Sequence, residues 1–363
     1  MYHSYLGGSL KAAIFKEQGH IAVEEVAKPK PTNPDELVMR VVRACVCGSD
    51  LWWYRGISPR TANTSVGHEA IGIVDQVGTN VHSVVPGDFI IVPFAFSCGT
   101  CPVCQAGFEA TCPNGGFFDA GDPGLGAQAE YMRVPQADGT VVVVPGGLER
   151  AQTFSDEMLA NLLTLSDVMA TGYHAAATAE VKAGDTVAVV GDGAVGLCAI
   201  IAAQLRGAKR IIALSGHEDR QKMAVKFGAT DIVASRGQEA VDEVKALTAG
   251  WGADAVLECV GSHESTATAL SIARNGAIVG RVGVPHGEQV DAEETFFRNL
   301  GLRGGPASVR TWDRKILLDA VLDGSINPGQ VFTAEYDLDH IAQAYDAMDQ
   351  RRTIKSLIRV SDI

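Results

Sequence analysis

Thr186-Val187-Ala188-Val189-Val190-Gly191-Asp192-Gly193-Ala194-Val195-Gly196 is a short apolar run followed by three glycines in the spacing G-x-G-x-x-G. A glycine triplet alone says little. Placed after a strand-like run and ahead of a helical stretch reaching Ala208, it predicts a phosphate-binding turn. Glycine permits the tight turn and the close approach of a pyrophosphate, which the N–H groups at the helix start would hold. The candidate dinucleotide contacts are therefore Gly191, Gly193, Ala194, Val195 and Gly196. Downstream, strands are expected at Arg210–Leu214, Asp231–Ala234, Ala255–Glu258 and Ala277–Val282, with a helix at Gln221–Phe227. Such alternation defines an α/β fold with a parallel, doubly wound sheet.

Upstream the rhythm changes. Short β-branched runs at Glu36–Val42, Ala70–Val77, Asp88–Pro93 and Thr140–Val144, punctuated by Gly and Pro, predict a compact, mostly antiparallel β domain. Pro29, Pro31 and Pro34 mark an early loop, and Pro86-Gly87-Asp88 a turn. Cys98, Cys101, Cys104 and Cys112 form a C-x2-C-x2-C-x7-C run. Four thiolates this close can wrap one tetrahedral zinc, and a closed sulfur-only site is structural. The run by itself also suits an iron–sulfur site or a zinc ribbon. The segment after Gly304 leaves the strand–helix alternation.

Two further motifs decide between these readings: Cys47-Gly48-Ser49-Asp50 and Gly67-His68-Glu69. With the four-cysteine run and the glycine loop, in this order, they resemble the zinc-dependent alcohol dehydrogenases of the medium-chain dehydrogenase/reductase superfamily. The resemblance runs from about Lys11 to the C-terminus. It implies a GroES-like, partly open barrel made of residues 1–167 and 303–363, with a structural zinc lobe at about 95–115, and a Rossmann domain at 168–302. It implies two zinc ions per chain, one held by the four cysteines and a catalytic one by Cys47, His68 and Asp167. The third position is usually Cys; a carboxylate still balances one unit of zinc charge, as a harder donor. Asp167 also suits a helix N-cap, since a helical run follows it.

The same resemblance gives Glu69 transient ligation during substrate exchange, Asp50 the second ring N–H of His68, and Ser49 the proton of the bound oxygen. Where several relatives place a relay His, this chain has Trp52, whose indole cannot shuttle a proton. Trp52 and Trp53 are expected to line the substrate cleft or a subunit contact. Thr171, Val282 and Val284 match positions flanking the nicotinamide, and Lys355 a basic residue on the pyrophosphate. His174 is expected to pack within a helix. A homodimer or homotetramer is implied.

The cofactor's phosphate is read from the end of the second strand. NAD-specific loops carry Asp or Glu there, for the ribose hydroxyls; this chain has Ser215. A hydroxyl tolerates a 2′-phosphate where a carboxylate repels it, and His217 and Arg220 supply positive charge. NADP is therefore expected, with Glu218 and Asp219 as the acids that would serve NAD instead.

A chain of 363 residues, 46% hydrophobic and 20% charged, can bury a large core and split into two domains. Its formal charge of -13 opposes a nucleic-acid or anionic-membrane partner. No apolar run approaches the ~20 residues that span a bilayer. Met1 to Leu10 shows no basic region followed by an apolar core, so a cytoplasmic location with reduced cysteines is expected. The expected reaction is hydride transfer between a nicotinamide cofactor and an alcohol and its aldehyde or ketone. The alternatives are a zinc-free quinone or enone reductase on the same fold, and a non-enzymatic zinc-stabilised binding protein. Cys47, His68 and Asp167 oppose the first; charge and glycine loop oppose the second.

Overall fold

The computed structural model describes residues 10–118, 124–287, 289–307 and 311–363. The chain divides into two compact units, Met1–Asp167 with Arg310–Ile363, and Val168–Val309. The return to the first unit thus falls later than the 302/303 boundary expected from sequence. The reason is Gly301–Gly304, which adds to the second unit's sheet in parallel with Ala273–Arg281, Ile278 opposite Gly301.

In the first unit the strand Leu37–Cys45 is the hub, almost wholly buried along its length. It pairs antiparallel with Ala70–Val77, Tyr131–Val134 and Lys355–Arg359. Ala70–Val77 continues to Phe89–Val92 and then Val142–Val143; Phe332–Asp337 closes the other side, parallel to Lys355–Arg359. The strand expected at Thr140–Val144 shrinks to two residues because Ala137–Thr140 forms a helical turn. Register matters most at one end, where Ala44 pairs with Ala70. The chain therefore leaves the hub strand toward Cys47 at the edge from which it enters the neighbouring strand after His68. A second small sheet joins Leu10–Glu17 to His20–Val26 and Thr64–Ser65.

Trp53 corrects an expectation. It is 6% exposed and belongs to the core, edge-on to Phe15 at 5.2 Å and tilted against Tyr345 at 5.6 Å. An aromatic this enclosed lines neither a cleft nor a subunit contact. Trp52, on the short helix Asp50–Tyr54, is partly exposed.

In the second unit six parallel strands lie in the order Asp231–Val233, Arg210–Leu214, Thr186–Val190, Ala253–Glu258, Ala273–Arg281, Gly301–Gly304. Strand order reverses beside Thr186–Val190, and a doubly wound sheet binds its ligand outside the carboxyl ends at such a switch point. The glycine loop leaves that strand and opens the helix Ala194–Leu205. The helix expected at Gln221–Phe227 spans Glu218–Lys226, its first turn favoured by the acids Glu218 and Asp219. Among the described residues no helix is long and apolar enough to cross a membrane.

Candidate functional site

The first unit brings Cys47, His68, Glu69 and Asp167 together, all buried, with one potential ligand atom from each within 4.8 Å of every other. Cys47 Sγ lies 3.4 Å from Asp167 Oδ2, and His68 Nε2 lies 3.7 Å from the same oxygen. Tetrahedral zinc with ~2.0–2.3 Å bonds would have ligand–ligand edges of about 3.3–3.8 Å. Asp167 reaches the cluster on the turn after the helix Asp156–Thr164, where the Phe94 N–H donates to Ser166 O at 3.1 Å. Asp50 receives the Cys47 N–H at 3.0 Å and faces His68 Nδ1 at 3.6 Å. That arrangement turns His68 Nε2 toward Cys47 and Asp167, the orientation a ligating imidazole needs. Ser49 starts the helix Asp50–Tyr54 and makes no side-chain cap bond there.

Electrostatics make the same point. Burial and the Asp167 carboxylate push the Cys47 thiol up. Burial opposes a charged His68, yet Asp50 and Cys47 outweigh it and hold the imidazole well above its usual value. Acidic groups crowded in a dry interior need a cation. The donor set of one thiol, one imidazole and one or two carboxylates suits zinc.

Lys355 requires a second correction. Expected on the pyrophosphate, it is instead 1% exposed inside the first unit, donating to Glu69 Oε1 at 2.7 Å and to Val46 O at 3.1 Å. A lysine buried this deeply cannot reach a solvent-side phosphate. Its partner Glu69 keeps Oε2 buried without a hydrogen-bond partner. The pair could not be read from sequence because Glu69 and Lys355 meet only through strand pairing around the hub.

The second cluster is the four-cysteine lobe. Cys101 and Cys104 sulfurs are 3.5 Å apart, Cys98 and Cys112 3.5 Å, Cys101 and Cys112 3.9 Å. A tetrahedron with ~2.3 Å metal–sulfur bonds has edges of about 3.8 Å, so the four fit one zinc. Burial raises the Cys98 thiol, but the N–H groups of Thr100 and Cys101 overcome it and bring it down to about 5. Cys104 is pushed up to about 12 by burial and by its neighbours Cys101 and Cys112, a conflict that a bound cation relieves.

In the second unit Gly191 sits at φ +116°. A Cβ on Gly196 would lie 2.0 Å from Gly191 O, so only glycine lets the helix pack onto the turn. A Cβ on Gly193 would meet nothing within 4 Å; it would project into open space at the helix start, where a pyrophosphate would approach. Ala194 and Val195 form the first turn of that helix. Thr171 is buried in the helix Val168–Thr178, as is His174, and Val284 is half exposed beyond the strand Ala273–Arg281. Val282 and Gly283 donate to Glu258 O at 2.9 and 3.2 Å. Glu258 itself was missed by motif reasoning: fully buried, it accepts the Val260 and Gly261 N–H groups at 2.8 Å and shapes that loop.

Ser215, His217 and Arg220 converge as one group, but around a partner within the glycine loop. Asp192 accepts from Ser215 Oγ at 3.0 Å and Arg220 Nη1 at 3.0 Å, and its Oδ2 lies 2.8 Å from His217 Nδ1. Burial raises the Asp192 carboxyl, while His217 and Arg220 more than offset it and hold it below its usual value. Glu218 faces Lys222 at 2.9 Å instead.

A dinucleotide-type sheet in one unit and a buried thiol–imidazole–carboxylate cluster in the other define a metal-dependent oxidoreductase linked to a nicotinamide cofactor. Comparison with known proteins narrows this. Residues 33–146 match the alcohol dehydrogenase GroES-like domain, and residues 194–313 the zinc-binding dehydrogenase domain. A "probable zinc-binding alcohol dehydrogenase" of Mycobacterium tuberculosis is 36% identical over 93% of this chain and 84% of its own. The structure of an alcohol dehydrogenase from Thermus sp. ATN1 superposes with a TM-score of 0.87 at 31% identity, covering 97% of this chain and all of that one. Zinc-dependent alcohol dehydrogenase 2 of Streptococcus pneumoniae, in its apo form, gives 0.86 at 31% identity, covering 98% of this chain and all of the other. The chain belongs to the zinc-dependent alcohol dehydrogenases of the medium-chain dehydrogenase/reductase superfamily.

Proposed function

We propose that this protein is an NADP(H)-linked dehydrogenase or carbonyl reductase that interconverts an alcohol and its aldehyde or ketone, with zinc held by Cys47, His68 and Asp167. The observation supporting this most directly is the buried cluster Cys47–His68–Glu69–Asp167. A zinc bound there would supply a Lewis acid for the substrate oxygen, and a bound nicotinamide would supply or accept the hydride. The chain's own groups do the rest. Asp50 fixes the ring of His68 so that Nε2 faces the metal position. Lys355 draws Glu69 Oε1 aside and leaves Oε2 as the atom free to ligate while substrate exchanges. Ser49, with no cap bond to hold its hydroxyl, would relay the proton of an alcohol, accepting it while passing its own hydroxyl proton to solvent. Cys98, Cys101, Cys104 and Cys112 hold the structural zinc.

NADP(H) is favoured over NAD(H) because Ser215 replaces the acid at the second strand's end; His217 and Arg220 lie beside it but face Asp192. Thr171, Val282 and Val284 are proposed to flank the nicotinamide. A homodimer or homotetramer in the cytoplasm accompanies this reading on the family resemblance, the thiol clusters suiting a reducing compartment. The test is NADPH oxidation with a panel of aldehydes and ketones, before and after removal of metal by a chelator. Turnover that disappears with the metal and returns with added zinc supports the reading. Turnover that survives a metal-free preparation would favour the zinc-free reductase and refute it.

A further inference from the structure

The three side chains that sequence assigns to a 2′-phosphate all turn to one carboxylate. Asp192 takes a hydrogen from Ser215 and from Arg220 and pairs with His217, so a phosphate arriving there would meet a carboxylate at its centre. Arg220 offsets that charge and leaves the group close to neutral. A site that selects a dianionic phosphate needs a further cation. The neighbouring strand provides one. Leu214 pairs with Val233 in the parallel sheet, and the Ser215 N–H donates to Val233 O at 2.9 Å, so the segments beyond the two strand ends run side by side. Ser235 and Arg236 lie on the second of them.

Arg236 is exposed and has no side-chain partner among the described residues. Its guanidinium lies over Gly216: a Cβ built there would be 3.2 Å from Nη2 and 3.5 Å from Nε. A side chain at 216 would crowd the guanidinium, and glycine leaves it room over the loop. Next to it in the chain, Ser235 Oγ is enclosed and without a hydrogen-bond partner, out of reach of a ligand. An exposed, unpaired guanidinium over Ser215-Gly216-His217 offers a phosphate monoester a cation outside the position that Asp192 fills.

We propose that Arg236 selects the 2′-phosphate of NADP(H), and that Asp192 is a positioning residue holding His217 and Arg220 beside it. The inference rests on the nicotinamide-dinucleotide reading above and names the residues that set its preference. It is tested by fluorescence titration of the purified wild-type protein, Arg236→Ala and Arg236→Lys with NADPH and, separately, with NADH. Wild type is expected to bind NADPH more tightly. Arg236→Ala should weaken NADPH at least tenfold and leave NADH within about twofold, which also shows that the variant is folded. Arg236→Lys should recover part of the loss, as a point charge without the planar fork. Arg236→Ala binding both cofactors as wild type does, or losing both equally, overturns the assignment. So does a wild type that prefers NADH, which would place the Asp192 carboxylate on the ribose hydroxyls. If wild type binds neither dinucleotide, the oxidoreductase reading itself fails, and this assignment with it.

Discussion

Replacing Lys355 by methionine should lower the temperature of unfolding by roughly 10 °C. Methionine keeps most of the aliphatic stem but removes the ammonium that sits 2.7 Å from Glu69 Oε1. Glu69 is fully buried and its Oε2 already lacks a partner, so the variant would leave both oxygens unpaired in a dry interior. Removing one member of a buried pair costs about 3–5 kcal/mol. Each kcal/mol moves the midpoint by roughly 2–4 °C in a unit of this size, which gives the figure stated. The ion pair also sets the pH behaviour. Burial works against the ammonium, but Cys45, Glu69, Cys47 and Asp167 outweigh it and raise Lys355 well above its usual value. A raised basic group contributes its stability at every pH below the unfolded value of about 10.4 and loses it only above. The deficit of the variant should therefore be constant from about pH 6 to 9. Thermal scans followed by circular dichroism at one scan rate measure it. Lys355→Met combined with Glu69→Leu should recover much of the loss, because the uncompensated charge goes too. A single variant melting within about 2 °C of wild type, or a double variant no better than the single, would refute the reasoning.

Asp167→Asn keeps the shape of the third ligand but removes its charge. Metal analysis after gel filtration should show one zinc lost per chain while the four-cysteine lobe keeps its own; unchanged zinc content would remove Asp167 from the ligand set. Gly196→Ala places a Cβ 2.0 Å from Gly191 O, so the loop must deform, and NADPH affinity should fall at least tenfold by titration. Glu36 accepts from Asn33, Thr32 and Arg133 while 2% exposed. Burial raises its carboxyl, and the Asn33 and Thr32 hydrogen bonds overcome this, so its folded value lies below the ordinary one. Its contribution is present above about pH 4.3 and disappears as pH falls through the folded value. Unfolding free energies from urea curves for Glu36→Gln should accordingly sit below wild type at neutral pH, by roughly 1–3 kcal/mol, and converge with it in acid; parallel curves down to about pH 3 would contradict this.

The electrostatic logic of the two metal positions differs. In the four-cysteine lobe the ligands come from one short stretch, and their spacing alone brings them within tetrahedral reach. In the other cluster the ligands come from the ends of two strands and a distant turn, and only the register of Ala44 with Ala70 brings Cys47 and His68 to one edge. Cys47 and His68 were legible because each sits in a local motif, and Asp167 only through its place in a longer family pattern. Asp167 also keeps its backbone in a turn, the Asp167 N–H lying 3.3 Å from Thr164 O.

By itself the sequence determined everything that depends on neighbours along the chain. The strand–glycine–helix turn, the alternation that makes a parallel sheet, the cysteine spacing and the short zinc motifs are all local patterns of residue type, and local backbone preferences enforce them. Only the tertiary structure decided which charges meet. Lys355 left the pyrophosphate for Glu69 because strand Lys355–Arg359 pairs with Leu37–Cys45. Asp192 captured Ser215, His217 and Arg220 because the glycine loop and the next strand end on the same side of the sheet. Arg236 came over Gly216 because its strand lies beside Arg210–Leu214. The sixth strand, Gly301–Gly304, moved the unit boundary because pairing with Ala273–Arg281 satisfies a backbone edge that no residue pattern announces. Long-range ion pairs and strand edges depend on register and burial, and a chain read in order contains neither until it is folded.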